Sequence, residues 1–282
     1  VSGLLLVAGT PIGNLADASP RLTESLAMAD LVVCEDTRAA RRLGAALGVR
    51  LREVRPMRGE RAISPSRLAH RLDEGACCVL TTDAGMPGTS DPGGPYVAAA
   101  RAIGAEVRVV PGPSAATAAL ALWPHEVPSY RVAGFLPRSG QARHRSLAVL
   151  IASIEPTVVF EAPGRVRTTV AELALLEPTR ELLLARELTK LHEESVVLPA
   201  AEALIWLEAR DARGEWVIVV GPATTRGEAA PIELQALADA LAASSMPLSE
   251  AARILARLGG LTRREAYDAV RSARPGAGRA PR

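Results

Sequence analysis

The stretch LTTDAGMPGTSDPGG, residues 80–94, decides how the chain is read. It continues the apolar run ACCVLTT (76–82), has six Gly or Pro among its fifteen residues, and gives way at once to a helical pattern, PYVAAARAIG. Gly lets backbone amides come close to a ligand, and Pro removes slack from the loop. Ser90 or Asp91 is placed to cap the following helix, with Pro92 in its first turn, which leaves free N–H groups for an anionic group such as a carboxylate. A tight turn with no ligand is the competing reading of any single loop of this kind.

Three further loops share the pattern. GTPIGN (9–14) follows the strand LLLVAG (4–9), PGPSA (111–115) follows EVRVV, and EAPGR (161–165) follows TVVF. In α/β sheets ligands bind beyond the carboxyl ends of the strands, so four such loops together point to a cleft for a small molecule.

The rest of the first half fits that scheme. LVVCED (31–36) reads as a strand, TRAARRLGAALG as a helix closed by Gly48, and SPSRLAHRLDEG as a helix capped by Ser64 with Pro65 in its first turn. Strands alternating with amphipathic helices imply a mostly parallel sheet covered on both faces. PHEVP (124–128) is the expected domain boundary, giving an N-terminal α/β domain over 1–124. A second alternation, from YRVAGFL to a closing strand EWVIVVG, gives a partly antiparallel α/β domain over 125–222. ATTRGEAAP (223–231) reads as a linker to a helical element over 231–282, whose piece Leu248 to Val270 has helix-turn-helix spacing around Gly259 and Gly260.

Composition narrows the class. In 282 residues, 48% hydrophobic and 23% charged content is that of a globular chain, and 3% aromatic content demands a core of Ala, Leu and Val. The opening VSGLLLVAG has no basic start and is too short for a signal or membrane segment. Cys34, Cys77 and Cys78 have neither metal-site nor disulfide spacing, which suggests core residues of a cytoplasmic protein. A net charge of +2 predicts no nucleic-acid binding by itself, but basic residues bunch at Arg50 to Arg61, at Arg138 to Arg145 and near the C-terminus. Of 33 basic residues only Lys190 is a lysine. It is either an accident of composition or a position where a compact, titratable amine matters.

Several activities are excluded. The chain has no GxGxxG after its first strand, no GxxxxGK[ST], no GxSxG elbow, no HExxH and no Cys cluster, so no metal is expected. Composition and spacing stop at a two-domain α/β protein with a small-molecule cleft.

A series of motifs goes further. GTPIGNLAD, CEDTR (34–38), DAGMPGTSDPG, VPGPSAATAAL, GFLPR (134–138), FEAPGRV, ARELTK (185–190) and RGEWVIVV (213–220) occur in this order. Together they closely resemble the S-adenosylmethionine-dependent ribosomal RNA cytidine 2′-O-methyltransferases of the tetrapyrrole methylase superfamily. The resemblance implies two α/β domains with a cofactor cleft between them, a homodimer, and a 16S rRNA substrate in the decoding region of the small ribosomal subunit. It departs from the family at Met86, where Thr is common, at VRPMRGER (54–61), and at Ala162 and Gly164 of EAPGR.

The same resemblance implies the site. Pro11, Gly85, Met86, Pro87, Ser90, Ser114 and Ala115 fall at cofactor positions of the first domain, and Phe160, Glu161 and Ala185 at positions lining the adenosine side. For the reaction, Lys190, Glu161, Glu35 and Asp36 are candidates to take or stabilise the hydroxyl proton or the alkoxide. Arg38, Arg165 and the basic segment with Arg138, Arg143 and Arg145 are the expected RNA contacts. Glu35, Asp36 and Arg38 read equally well as an ion-paired strand end, and Asp83 and Asp91 as caps or loop braces. Two alternatives stand: a methyltransferase of the same fold acting on a tetrapyrrole or a protein side chain, and a non-catalytic ribosome-binding factor.

Overall fold

The computed structural model describes residues 3–88, 93–223, 234–243, 246–259 and 261–274. The chain divides into two units, Val1–Ala121 with Glu187–Glu193, and Leu122–Arg186 with Glu194–Arg282.

In the first unit the order is β1 (Leu4–Ala8), α1 (Pro20–Met28), β2 (Leu31–Cys34), α2 (Thr37–Ala46), β3 (Val54–Pro56), α3 (Pro65–Asp73), β4 (Cys77–Leu80), α4 (Gly94–Ala102), β5 (Glu106–Val110) and α5 (Ala115–Ala121). The strands pair in parallel as β3-β2-β4-β1-β5. Alternate side chains of one strand enter different cores. Leu31, Val33, Cys78 and Leu80 pack with Leu68 and Leu72 of α3 and Tyr96 of α4. Val32, Cys34 and Val79 pack with Leu22 and Leu26 of α1 and Ala40 of α2. Both faces are therefore covered, which is why these strands read as unbroken apolar runs. Burial raises the Cys34 and Cys78 thiols to about 12, as befits small core residues.

Local signals set the helix starts. Ser19 and Ser64 accept from the backbone N–H of Leu22 and Arg67, with Pro20 and Pro65 immediately after them. α4 differs from expectation: Gly93 is its N-cap, without a side-chain cap, and Pro95 lies in its first turn. Ser90, Asp91 and Pro92 lie outside the described residues. β3, an edge strand of three residues, was not expected at all.

The second unit runs β6 (Arg131–Phe135), α6 (Gly140–Ala152), β7 (Thr157–Glu161), α7 (Val166–Leu176), β8 (Glu181–Arg186), β9 (Glu194–Pro199), α8 (Ala200–Glu208), β10 (Trp216–Val220), α9 (Leu234–Ala243), α10 (Leu248–Gly259) and α11 (Arg263–Ala273). Its sheet has the order β6-β7-β10-β8-β9. β6 and β7 are parallel, and every other pair is antiparallel. The closing strand of the sequence, β10, therefore sits in the middle, with all five residues buried.

Two features bear on the expected boundaries. The C-terminal helical element is present, and it packs into the second unit: Leu237, Leu241, Leu255 and Val270 share one core with Leu173, Leu204 and Ile218. α11 starts with a capping box in which Thr262 and Glu265 satisfy each other's backbone N–H groups. The second is Glu187–Glu193, between β8 and β9, which belongs to the first unit rather than to the domain expected over 125–222.

Candidate active site

All five strands of the first sheet are parallel, so the loops that follow them emerge at one end. Three of these loops are locked together. Thr10 and Gly85 exchange both backbone hydrogen bonds, at 2.9 and 3.1 Å. The Thr10 and Thr82 hydroxyls donate to the carbonyls of Thr82 and Gly85, at 3.2 Å each. The loop after β5 joins by close approach: a β-carbon on Gly9 would stand 2.8 Å from Gly112 Cα and 2.4 Å from Met86 Sδ. Gly85 in turn faces the Ile12 side chain and the Pro113 carbonyl. Pro11, Gly85, Met86 and Gly112 are thus brought into one backbone-rich cluster. Pro11, Met86, Pro87, Ser114 and Ala115 are half-buried and Gly85 is buried. The Ser114 carbonyl accepts from Ala118 N–H and the Thr117 hydroxyl, which anchors the start of α5.

Carboxylates tie the loop after β2 to the loop after β4. Glu35 accepts from Asp83 N–H at 3.3 Å, and Asp83 accepts from Asp36 N–H at 3.0 Å. Asp36 caps α2 and pairs with Arg38 at 3.1 Å. Hydrogen bonds from the Arg38 side chain and backbone hold the Asp36 carboxyl below its ordinary value. Glu35, Asp36, Asp83 and Arg38 therefore form the braced strand end that was one of the two readings of this cluster. Glu35 is engaged in the brace, which favours a positioning role over that of a base.

Lys190 lies in the Glu187–Glu193 segment, which docks on the loop after β1. Thr189 Oγ1 accepts from Asn14 N–H at 3.1 Å. Glu193 accepts from Thr189 N–H at 2.7 Å, and Lys190 N–H donates to the Glu187 carbonyl at 2.9 Å. Glu187 and Thr189 both have positive φ, 49° and 66°, in a turn tight enough to override the usual preference of L side chains. Lys190 Nζ pairs with Glu187 Oε1 at 2.9 Å, and both side chains keep some exposure, 28% and 21%.

In the second unit the expected contacts become an internal network. Glu161, whose side chain is fully buried, accepts from Arg165 at 2.6 Å, the Thr169 hydroxyl at 2.7 Å and Ala162 N–H at 2.9 Å. Arg143 donates to Thr169 and to Glu172 at 2.8 and 2.6 Å, and to the Pro137 carbonyl at 3.0 Å. Arg165 also holds the Leu136 carbonyl, at 3.0 Å. Two carboxylates and two guanidinium groups balance, and their remaining hydrogen bonds fix the GFLPR turn.

This arrangement bears on three of the expected site residues. Glu161 has no free oxygen or exposed surface with which to serve as base or cofactor ligand. Arg143 is 5% exposed and spends its donors internally, which favours a structural role over RNA contact. Ala185 is fully buried in β8 between β9 and β10, which leaves its side chain no surface for a ligand. Phe160 is half-buried, with its ring 5.7 Å from that of Phe135, and Arg138 and Arg145 are exposed.

The residues 4–204 match the family model of the tetrapyrrole (corrin/porphyrin) methylases. A protein of Mycobacterium bovis named ribosomal RNA small subunit methyltransferase I is 37% identical over 276 residues, covering 97% of this chain and 96% of its own. The protein of that name from Neisseria meningitidis serogroup B is 32% identical, covering 95% and 93%. The chain belongs to this methyltransferase family. Its fold also matches the crystal structure of the methyltransferase CobJ, with a TM-score of 0.55 at 23% identity, over 81% of this chain and 98% of that one.

Membership in the tetrapyrrole methylases agrees with the absence of GxGxxG. Several residues of this methylase site escaped the sequence reading. Thr10 and Thr82 were hidden because a hydroxyl that braces a loop resembles any polar loop residue. Glu187 was hidden although it lies inside ARELTK, three positions before Lys190. Thr169 and Glu172 stand at helical spacing on α7 and could have been paired with FEAPGRV as polar residues on one side of a mostly apolar helix. Among the described residues no group of three or more His, Cys, Asp or Glu side chains could hold a metal ion, and no helix is long and apolar enough to cross a membrane.

Proposed function

We propose that the chain transfers a methyl group from S-adenosylmethionine to the ribose 2′-hydroxyl of a cytidine in the decoding region of 16S rRNA, acting in the cytoplasm on the small ribosomal subunit. The observation that carries the reading is the locked cluster of three Gly/Pro loops with Lys190 held beside it. The absence of β-carbons at Gly9 and Gly112 lets the loops after β1 and β5 pack backbone to backbone, with the Met86 side chain against them. That suits a zwitterionic ligand held by amides and carbonyls.

S-adenosylmethionine supplies an electrophilic methyl group on a sulfonium. Pro11, Gly85, Met86, Pro87, Ser114 and Ala115 would hold it, mostly by backbone, and the loop locking keeps them in register without reorganisation. Phe160, and Ser90, which lies outside the described residues, would add the contacts that their motifs imply. The ribose hydroxyl is a poor acid, so the chain must stabilise the alkoxide as it forms. Lys190 is the residue for this. Glu187 fixes its ammonium by an ion pair, and the Asn14–Thr189 hydrogen bond fixes the turn that carries it. Arg38, Arg138 and Arg145 are exposed for phosphate contact. Homodimerisation fits the edge strand β6, where Val132 and Phe135, with Tyr130 and Val149 nearby in sequence, leave large apolar side chains 40–59% exposed.

The test is calorimetric titration with S-adenosylmethionine, followed by transfer of its labelled methyl group to unmethylated small subunits and to free rRNA. Binding with transfer to either RNA is expected. Cofactor binding with no transfer to RNA, but with transfer to a tetrapyrrole or a protein, would reassign the substrate.

A further inference from the structure

Residues 38–71 carry ten arginines against two carboxylates, Glu53 and Glu60, a local charge of +8. The whole chain has a formal net charge of +2, so the remainder carries −6. This concentration is what the motifs leave unexplained, and it falls where the sequence departs from its family.

We infer that the β3 edge of the first unit, with α2 and α3 beside it, is a docking surface for the sugar-phosphate backbone of ribosomal RNA, separate from the Arg138–Arg145 segment. The inference rests on the reading of the substrate as rRNA and adds where that RNA is held. β3 is the outer strand of its sheet, with α2 packed on one face and α3 on the other. Arg41, Arg50 and Arg52 line one groove beside it, and Arg55, Arg61, Arg67 and Arg71 line a second.

The pairing of these side chains divides them by role. Arg52 is tied to Asp30 at 2.7 Å, and Arg55 and Arg71 both bind Glu53, at 2.8 and 2.9 Å. Arg41, Arg50, Arg58, Arg61 and Arg67 are exposed and form no ion pair among the described residues, while Arg42, also exposed, is close enough to Asp36 to help hold that carboxyl down. Five guanidinium groups with no ion pair, beside one short strand, repel one another until an anion joins them. Each presents a planar fork that matches phosphate oxygens two at a time.

Direction supports the assignment. Arg50 and Arg52 precede β3, and Arg58 and Arg61 follow it, so the track spans a strand of roughly 10 Å. Because the sheet is parallel, the residues after β3 leave at the same end as the loops carrying Gly9, Glu35, Gly85 and Gly112. Arg38, at the start of α2, stands at that end too. A backbone laid along this edge would be led toward the methyl-transfer loops.

The experiment compares the full chain with R41Q/R50Q and R61Q/R67Q, one pair per groove, and with the control R101Q on α4. Binding to unmethylated small subunits is measured across a potassium chloride series, with S-adenosylmethionine binding and thermal unfolding as checks of the fold. Each groove pair is expected to weaken subunit binding about tenfold and to lower the salt slope by roughly 1 to 2, while R101Q leaves both unchanged. Unchanged affinity and slope in both pairs, with the fold intact, would overturn the inference and leave the arginines as guards of an edge strand. Competition by polyglutamate as strong as by rRNA would overturn it in favour of an acidic protein. Groove-dependent RNA binding without methyl transfer would support the surface and sink the activity reading instead.

Discussion

Lys190 lies directly over Gly13: a β-carbon on that glycine would stand 2.4 Å from Lys190 Cγ and 2.9 Å from Thr189 Oγ1. The absence of a side chain at position 13 is thus what lets the Glu187–Glu193 segment seat on the loop after β1. Gly13→Ala is expected to push the segment off its seat. Overpacking of this kind costs about 1–3 kcal/mol, and here the strain falls on the turn that carries Lys190. Methyl transfer should fall at least tenfold while the melting temperature drops only slightly. Steady-state kinetics with a thermal melt checks both.

Lys190 itself is expected to act on the transition state and not on folding. Lys190→Met should lower kcat by about 10²–10³ with little change in S-adenosylmethionine affinity. Glu187→Gln, which removes the ion pair but keeps the shape, should have a smaller effect in the same direction. Single-turnover rates and calorimetric titration separate the two quantities. Equal losses of affinity and rate would assign Lys190 to cofactor binding.

The Arg143 network predicts the opposite pattern. Arg143→Ala leaves the half-buried Glu172 and the buried Thr169 without their donor, and since breaking a fully buried pair costs about 3–5 kcal/mol, a loss of roughly 2–3 kcal/mol is expected. Denaturant unfolding should register that loss, whereas subunit affinity, measured per folded molecule, should stay within twofold of wild type. A variant of normal stability with weakened RNA binding would return Arg143 to the RNA-contacting group.

How much was legible in the sequence follows from the kind of interaction involved. The strands of the first sheet were visible because both faces are covered, so every residue of LVVC is apolar. The Ser64–Pro65 helix start was visible because capping is local. β3 was not, since three residues beginning with Val54 on a sheet edge need only one buried side chain. Glu187–Glu193 was assigned to the wrong unit because its partners, Gly13 and Asn14, lie far away in sequence. The internal network of Arg143 was not legible for a related reason. Its partners Thr169 and Glu172 sit on another helix, and a run such as RSGQARHR does not reveal which arginine turns inward.

Alkaline pH should unfold the chain through its thiols. Burial raises Cys34 and Cys78 from 9.0 to about 12. The folded-state pKa lies above the unfolded value, so their contribution is fully present below about pH 9 and is lost as pH rises toward 12. In that window each thiol contributes a slope of about 1.4 kcal/mol per pH unit. The double variant C34A/C78A should show a flatter loss of stability between pH 9 and 11 than wild type in urea titrations. Identical slopes would contradict the burial account.

The most direct test of the central claim is the position of the transferred methyl group. Unmethylated small subunits are incubated with the enzyme and labelled S-adenosylmethionine, and the 16S rRNA is digested to nucleosides. The account predicts label on the 2′-oxygen of a single decoding-region cytidine, appearing about 10²–10³ times more slowly with Lys190→Met. Label on a base, or transfer by Lys190→Met at the wild-type rate, would contradict it.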